Sequence, residues 1–302
     1  MNLKPFNQQP QVEISTNPLK IYSFKTTNEN IDNSVVESFG EEWKKFHHFS
    51  DHEINKLGDA YFDIIDNKII NKNTYGIDIG CGSGRFTKFL SDKIGFMEAI
   101  DPSESIFTAG KLLEGVDNVR LSIASIDNIP FEDETFDFGM SIGVLHHIPN
   151  TQKALSDCVK KVKIGGFFFI YLYYNLDNKG IIFKFILAVV TAIRKPISSL
   201  PTMLKKIVCD IIAILIYMPI ILTGRFLKFF GFSKLANKLP LSFYHNHTFF
   251  IIRNDALDRF GTSIEQRFSR TQIKVMMKNS GLDEIVISDN IPYWHAIGKR
   301  LK

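Results

Sequence analysis

The stretch YGIDIGCGSGRF, residues 75 to 86, places three glycines within five positions directly behind an apolar run. Glycine adopts positive φ without strain and lets a ligand lie against bare backbone. A helix that opens just after such a turn presents unsatisfied N–H groups to an anion. The local order is therefore strand, cradling turn, helix. A dinucleotide fingerprint, G-x-G-x-x-G, would need glycine at position 85, where this chain has Arg85. The spacing here is G-x-G-x-G, with Asp78 two residues ahead of Gly80. A carboxylate at that point repels a pyrophosphate and attracts a ligand that bears an ammonium group.

From Thr74 to about Tyr174 short apolar runs alternate with helical stretches. The runs are YGIDI, FMEAI, NVRLSIA, FDFGMSI and GFFFIYLYY; RFTKFLSDKI and SESIFTAGKLL separate the first three. Strand and helix alternating with short links predict parallel βαβ units, right-handed crossovers and helices on both sheet faces. The expected fold class is α/β, a Rossmann-like, doubly wound, mostly parallel sheet. Four regions follow: an arm and helical cap (1–70), the core (71–175), an apolar and basic helical insertion (176–250), and a last helix and strands completing the core (251–302). Asn, Gln and Pro crowd the first thirty residues, which predicts a loose arm. Phe39, Trp43, Phe46 and Phe49, then Ile54, Leu57, Tyr61 and Phe62, have helical spacing. That stripe suits either core packing or a cap over the cleft. SRTQ (269–272) has the form of a capping box and opens a helix through Met277, with GLDEIVIS and YWHAIG as two more strands.

S-adenosylmethionine carries an amine, a carboxylate and a sulfonium, so an acid beside backbone donors suits it. The chain resembles the class I S-adenosylmethionine-dependent methyltransferases over about residues 74–175 and 265–300. The resemblance implies that Asp78, Gly80, Cys81, Gly82 and Gly84 contact the methionine part of the cofactor. Asp101, seventeen residues past Gly84 in AIDPSES, matches the acid that bonds both ribose hydroxyls; read alone it is also a helix N-terminal charge. ASIDNIPFEDETFDFGMSIGVLHHIPN, 124–150, is similar to the adenine loop, the fourth strand with Ser141, and the turn after it. Where the family often carries an Asp for the adenine amino group this chain has Ser125, so the Ser125 hydroxyl or the backbone around Ile126 takes that contact. The turn LKPGG, usual before the fifth strand, is here VKIGG (162–166).

Methyl transfer from a sulfonium is an in-line displacement in which alignment supplies much of the rate. A hydroxyl acceptor gains from a general base, and histidine suits that task near neutral pH. His146 and His147 follow the fourth strand, on the ligand-binding side of such sheets; His147 is preferred, and the alternative is that both brace the loop. Tyr171 and Tyr173 end the fifth strand, where they line an acceptor pocket or simply pack. His245, in FYHNHTFF, and Arg267 are substrate-binding candidates, the arginine for a phosphate or carboxylate. Cys81, Cys158 and Cys209 show no C-x-x-C and no metal-ligand spacing.

The formal charge of +4 is too small to imply nucleic acid. Its distribution is uneven: nine Lys or Arg lie between Ile181 and Leu239 against one acid, Asp210. IIFKFILAVVTAI (181–193) and IVCDIIAILIYMPIIL (207–222) are interrupted by Lys184, Asp210 and Pro219, whereas spanning a bilayer needs roughly 20 apolar residues. Helices lying in a membrane interface, a lid over a lipid-linked acceptor, and a subdomain packed on itself or on a second copy through residues 181–231 all fit. The polar N-terminus lacks the order of a signal peptide, which predicts a cytoplasmic protein, peripheral at the inner membrane surface in the interfacial version. The expected activity is methylation, at oxygen, of a small-molecule or lipid-linked acceptor such as a sugar or surface-glycan precursor. The rivals are a membrane-surface binding protein with a non-catalytic S-adenosylmethionine pocket and an NAD-dependent oxidoreductase.

Overall fold

The computed structural model describes residues 3–15, 19–26, 29–43 and 50–301. Phe46, Phe49 and the side chains of Phe39 and Trp43, which carry the expected aromatic cap, lie outside that description. The chain divides into two compact units, Met1–Asn178 with Gln266–Lys302, and Lys179–Glu265.

The first unit is built on one sheet. Its strands are β1 (Val12–Ser15), β2 (Lys20–Ser23), β3 (Tyr75–Ile79), β4 (Phe96–Ile100), β5 (Val119–Ile123), β6 (Phe136–Ile142), β7 (Val162–Tyr171), β8 (Leu282–Ile287) and β9 (His295–Arg300). Their spatial order is β1-β2-β5-β4-β3-β6-β7-β9-β8. Neighbours from β2 to β7 run parallel, while β1, β8 and β9 add antiparallel edges. Every residue of β3 and β4 is buried, as expected for central strands of a sheet covered on both faces, and each buries one carboxylate, Asp78 and Glu98. Helices α1 (Asn33–Trp43) and α2 (Asp51–Tyr61) precede the core, and α3 (Arg85–Ser91), α4 (Ser105–Leu112), α5 (Thr151–Lys160) and α11 (Arg270–Asn279) cross it. One apolar core holds Ile77 and Ile79 against Leu155, Cys158, Ile273 and Met277, from α5 and α11. The other holds Met97 and Met140 against Phe86, Leu90 and Ala109, from α3 and α4. The fold is the doubly wound α/β class expected. Going out from β3 to β5 and back to β6 creates a switch point beside β3, where such folds bind ligands.

The arm expected to be loose is tied down. β2 pairs in parallel with β5, and the Phe6 ring lies 4.7 Å from Phe24 and 5.2 Å from Phe131. Arg120 donates to the Lys4 carbonyl at 2.7 Å and pairs with buried Glu98 at 2.7 Å, where Tyr75 also donates. Four-residue edge strands are too short to show alternation, so composition alone suggested looseness. At the other end, Ser269 and Gln272 form the capping box that starts α11.

The second unit is helical: α6 (Ile181–Ser198), α7 (Thr202–Ile212), a π turn (Ala213–Tyr217), α8 (Met218–Phe229), α9 (Ser233–Ala236) and α10 (Phe249–Gly261). Its own core joins Ile197 of α6, Cys209 and Ile212 of α7, Tyr217 and Ile221 beyond them, and Ile252, Ala256 and Phe260 of α10. Because α10 packs on α6 and α7, this unit closes at 265, whereas the sequence reading ended the insertion at 250. Across the π turn, α7 and α8 run as one helix over Met203–Phe229, 27 residues. Pro219 sits just past the π turn, where the hydrogen-bond ladder has already shifted, and so does not end it.

Candidate active site

β3 delivers Asp78 and the glycine turn to the carboxyl edge of the sheet. Gly80, Gly82 and Gly84 have φ of 78°, 53° and 79°. A Cβ at Gly80 would come within 2.5 Å of Val144 Cγ2, and one at Gly84 within 3.0 Å of Ala109 Cβ. The turn after β6 and helix α4 therefore approach this backbone closely only because it is bare. The Gly80 and Cys81 N–H groups donate to the Ile100 carbonyl at 2.8 and 3.0 Å, locking the cradle to the end of β4.

Two carboxylates frame it. Asp78 is buried and accepts from Thr87 Oγ1 at 2.6 Å. Burial raises its carboxyl to about 7; the Thr87 bond opposes this, the Asp101 charge adds to it, and Arg85 opposes. Asp101 follows β4. Its Oδ2 accepts the Gly82 N–H at 2.9 Å, and its Oδ1 accepts both the N–H and the hydroxyl of Ser103, at 2.9 and 2.6 Å. A carboxylate has about four lone-pair directions, so the protein's own donors use most of the capacity that the resemblance assigned to a ribose. Burial, then the charges of Asp101 and Asp78, push the Cys81 thiol well above its ordinary range, so it is no thiolate.

Ser125, after β5, is buried with its hydroxyl unpartnered, and Ile126 opens the short 3₁₀ turn that follows. Ser141 on β6 donates to the Ile79 carbonyl at 2.9 Å, bracing the strand that enters the cradle. Beyond β6, Gly143 donates to the Tyr171 carbonyl at 3.1 Å, and Val144 leads into the turn Leu145–His147. His146 is fully buried, with its ring 3.9 Å from Tyr173 and 4.1 Å from His147; neither of its nitrogens has a hydrogen-bond partner. Burial first, then the charges of His147 and Arg267, hold its pKa well below the usual imidazole range. His146 is therefore neutral at physiological pH. The Arg267 guanidinium lies 5.4 Å from the Tyr173 ring centre and donates to the Tyr174 carbonyl at 3.3 Å.

All the site residues expected from the sequence except His245 thus gather at the carboxyl ends of β3 to β7 or, for Arg267, against Tyr173 there. His245 belongs to the second unit, where it is buried against Gly224 with both ring nitrogens unpartnered. One side chain at this edge was not singled out from sequence. Tyr61, ending α2, has its ring 4.9 Å from Phe86 and 5.1 Å from Tyr171, edge to face with both. Its helical spacing was visible, but spacing names a face and not the strand end that the face meets.

A bare-backbone cradle, flanking acids and a buried Ser125 hydroxyl without a partner meet at the switch point, and this donor and acceptor set fits S-adenosylmethionine. Residues 77–170 match a family model described as a methyltransferase domain. Over 119 residues the chain is 30% identical to a sterol 4-C-methyltransferase of Caenorhabditis elegans, covering 36% of each chain. Over 102 residues it is 33% identical to demethylmenaquinone methyltransferase of Staphylococcus aureus, covering 32% of this chain and 42% of the relative. The chain therefore spans about two fifths or less of those relatives' lengths. Among solved structures, a methyltransferase of Thermotoga maritima (TM-score 0.45, 16% identity, covering 87% of this chain and 94% of that one) and one of Aquifex aeolicus (0.42, 14%, 83% and 97%) are similar. Residues 77–170 are thus a methyltransferase domain, and S-adenosyl-L-methionine is the methyl donor that such a domain implies. The nicotinamide alternative is set aside.

Proposed function

We propose that the protein transfers the methyl group of S-adenosyl-L-methionine to a hydroxyl oxygen of a lipid-like acceptor. The observation that carries the reading is the cradle, Gly80 to Gly84 bent at positive φ between Asp78 and Asp101, inside a methyltransferase domain. When bound, the cofactor supplies an electrophilic methyl group on a sulfonium. Asp78 would hold its ammonium group, Asp101 a ribose hydroxyl, and Ser125 or the backbone at Ile126 the adenine edge. His146, with both ring nitrogens unpartnered, takes the proton of the acceptor hydroxyl. His147 positions that ring, Tyr171 and Tyr173 border the acceptor, and Arg267 backs Tyr173. The acceptor class is supported by two relatives whose names give a sterol and demethylmenaquinone as substrates, and both compounds are largely apolar.

The test is to incubate the protein with methyl-labelled S-adenosylmethionine and a total lipid extract, and to count label in the organic phase. Label should enter that phase. His146→Ala should reduce it by about 100-fold while S-adenosylhomocysteine binding, measured by calorimetry, is kept. Label confined to water-soluble products would overturn the acceptor class. Full activity of His146→Ala would leave alignment as the whole mechanism. Cofactor binding without any transfer would favour a non-catalytic binding protein.

A further inference from the structure

The second unit carries a helix that is apolar on both sides. On one side of Met203–Phe229, Cys209, Ala213, Tyr217 and Ile221 are buried in that unit's core. On the other, Leu204, Ile207, Ile211, Leu215, Leu222 and Phe226 recur at helical spacing, and each is 46% to 68% exposed. Only 33% of the helix's most apolar window is buried. Helix α6 repeats the pattern with Ile182, Phe185, Val189 and Ile193, all exposed. Soluble monomers rarely expose apolar patches of more than a few hundred Å², so these faces have an occupant.

The charges around them say which. Nine Lys or Arg and one acid lie between Ile181 and Leu239, and that acid, Asp210, is held by Arg253 at 2.6 Å. Lys205 and Lys206 stand at the start of the long helix and Arg225 and Lys228 in its last turns, with Lys184 and Lys195 on α6. A second copy meeting the same faces about a two-fold axis would set these cations against one another. An anionic lipid surface neutralises them. At about 1.5 Å per residue the long helix exceeds the roughly 30 Å of a hydrocarbon core. It does not cross one, because α10, packed along α7, brings Arg253, Asp255, Asp258 and Arg259 beside it. Such a cluster is not compatible with lipid on all sides.

We infer that the second unit is a membrane-surface module: α6 and the 203–229 helix lie in the interface of an anionic bilayer, with their exposed apolar faces among the acyl chains and their lysines at the headgroups. This goes beyond the proposed methyl transfer, and its test reads binding without turnover, so either can fail alone.

The experiment is flotation of the full chain with vesicles of phosphatidylcholine alone and of phosphatidylcholine mixed with phosphatidylglycerol. Binding is expected to the mixed vesicles, weaker by tenfold or more on the neutral ones, and reduced by high salt. Ile211→Glu with Leu215→Glu and Phe226→Glu should abolish it, and Lys184→Glu with Lys195→Glu should weaken it; circular dichroism shows that each variant folds. Alkaline carbonate should release the bound protein. No binding to mixed vesicles, equal binding to neutral ones, or unchanged binding by the folded triple variant would overturn the module. Retention in carbonate would mean a spanning helix, and a dimer that the triple variant dissociates, without vesicle binding, would mean a second copy.

Discussion

Asp78 sits where ionisation is costly. With its carboxyl raised to about 7 by burial, the free protein holds a proton there that the unfolded chain, at about 3.9, has lost. Between those values the folded state binds more protons, so this group's contribution to stability falls as pH rises from about 4 to about 7. A ligand's ammonium group beside it reverses the preference, because a cation favours the carboxylate. S-adenosylhomocysteine, which carries that ammonium, should therefore bind more weakly as pH falls below 7, by at most about tenfold per unit, and reach a plateau above it. Asp78→Asn should flatten the profile in a calorimetric titration. A flat profile in the unsubstituted protein would mean that Asp78 serves only Thr87. Asp101 makes the complementary point: its three bonds to Gly82 and Ser103 show a carboxylate organising the cradle even before any ribose is considered.

At the scale of elements, the amino end of the sheet is held by charge. Glu98 on β4 is wholly buried and bonded by Arg120 on β5 and Tyr75 on β3, and Arg120 also caps the Phe6 ring at 4.0 Å. Removing one partner of a buried pair leaves the other charge uncompensated, at about 3–5 kcal/mol. Arg120→Ala should lower the melting temperature by roughly 6–20 °C, and Arg120→Met with Glu98→Gln should recover much of it. An unchanged melting point would show that Glu98 is already neutral. Elements with their own signal were legible in the sequence: the mostly apolar runs of β3 and β4, the capping box at Ser269, and the glycine turn. Those that depend on a distant partner were not. β1 and β2 exist because β5 offers an edge, and α10 joins the second unit because its apolar residues find α7. Tyr61 reaches the site because α2 happens to end beside Phe86 and Tyr171. The glycine cradle was readable since positive φ and close backbone approach demand glycine there. The acceptor half was not, since aromatic side chains at strand ends look the same whether they pack or bind.

Over the whole molecule the two units divide chemistry between them. The first holds the sheet, the cradle and the buried histidine; the second concentrates positive charge and exposed apolar surface, which leaves the rest of the chain mildly acidic. Rossmann-like sheets host many activities, so the central claim rests on what the turn at Gly80 to Gly84 accepts. The most direct measurement is isothermal titration of the protein with S-adenosylhomocysteine and, in parallel, with NAD. Saturable binding of one S-adenosylhomocysteine per chain, with no heat from NAD, is the predicted result. Folded protein that takes up NAD, or that shows no binding of S-adenosylhomocysteine at any pH, would contradict it.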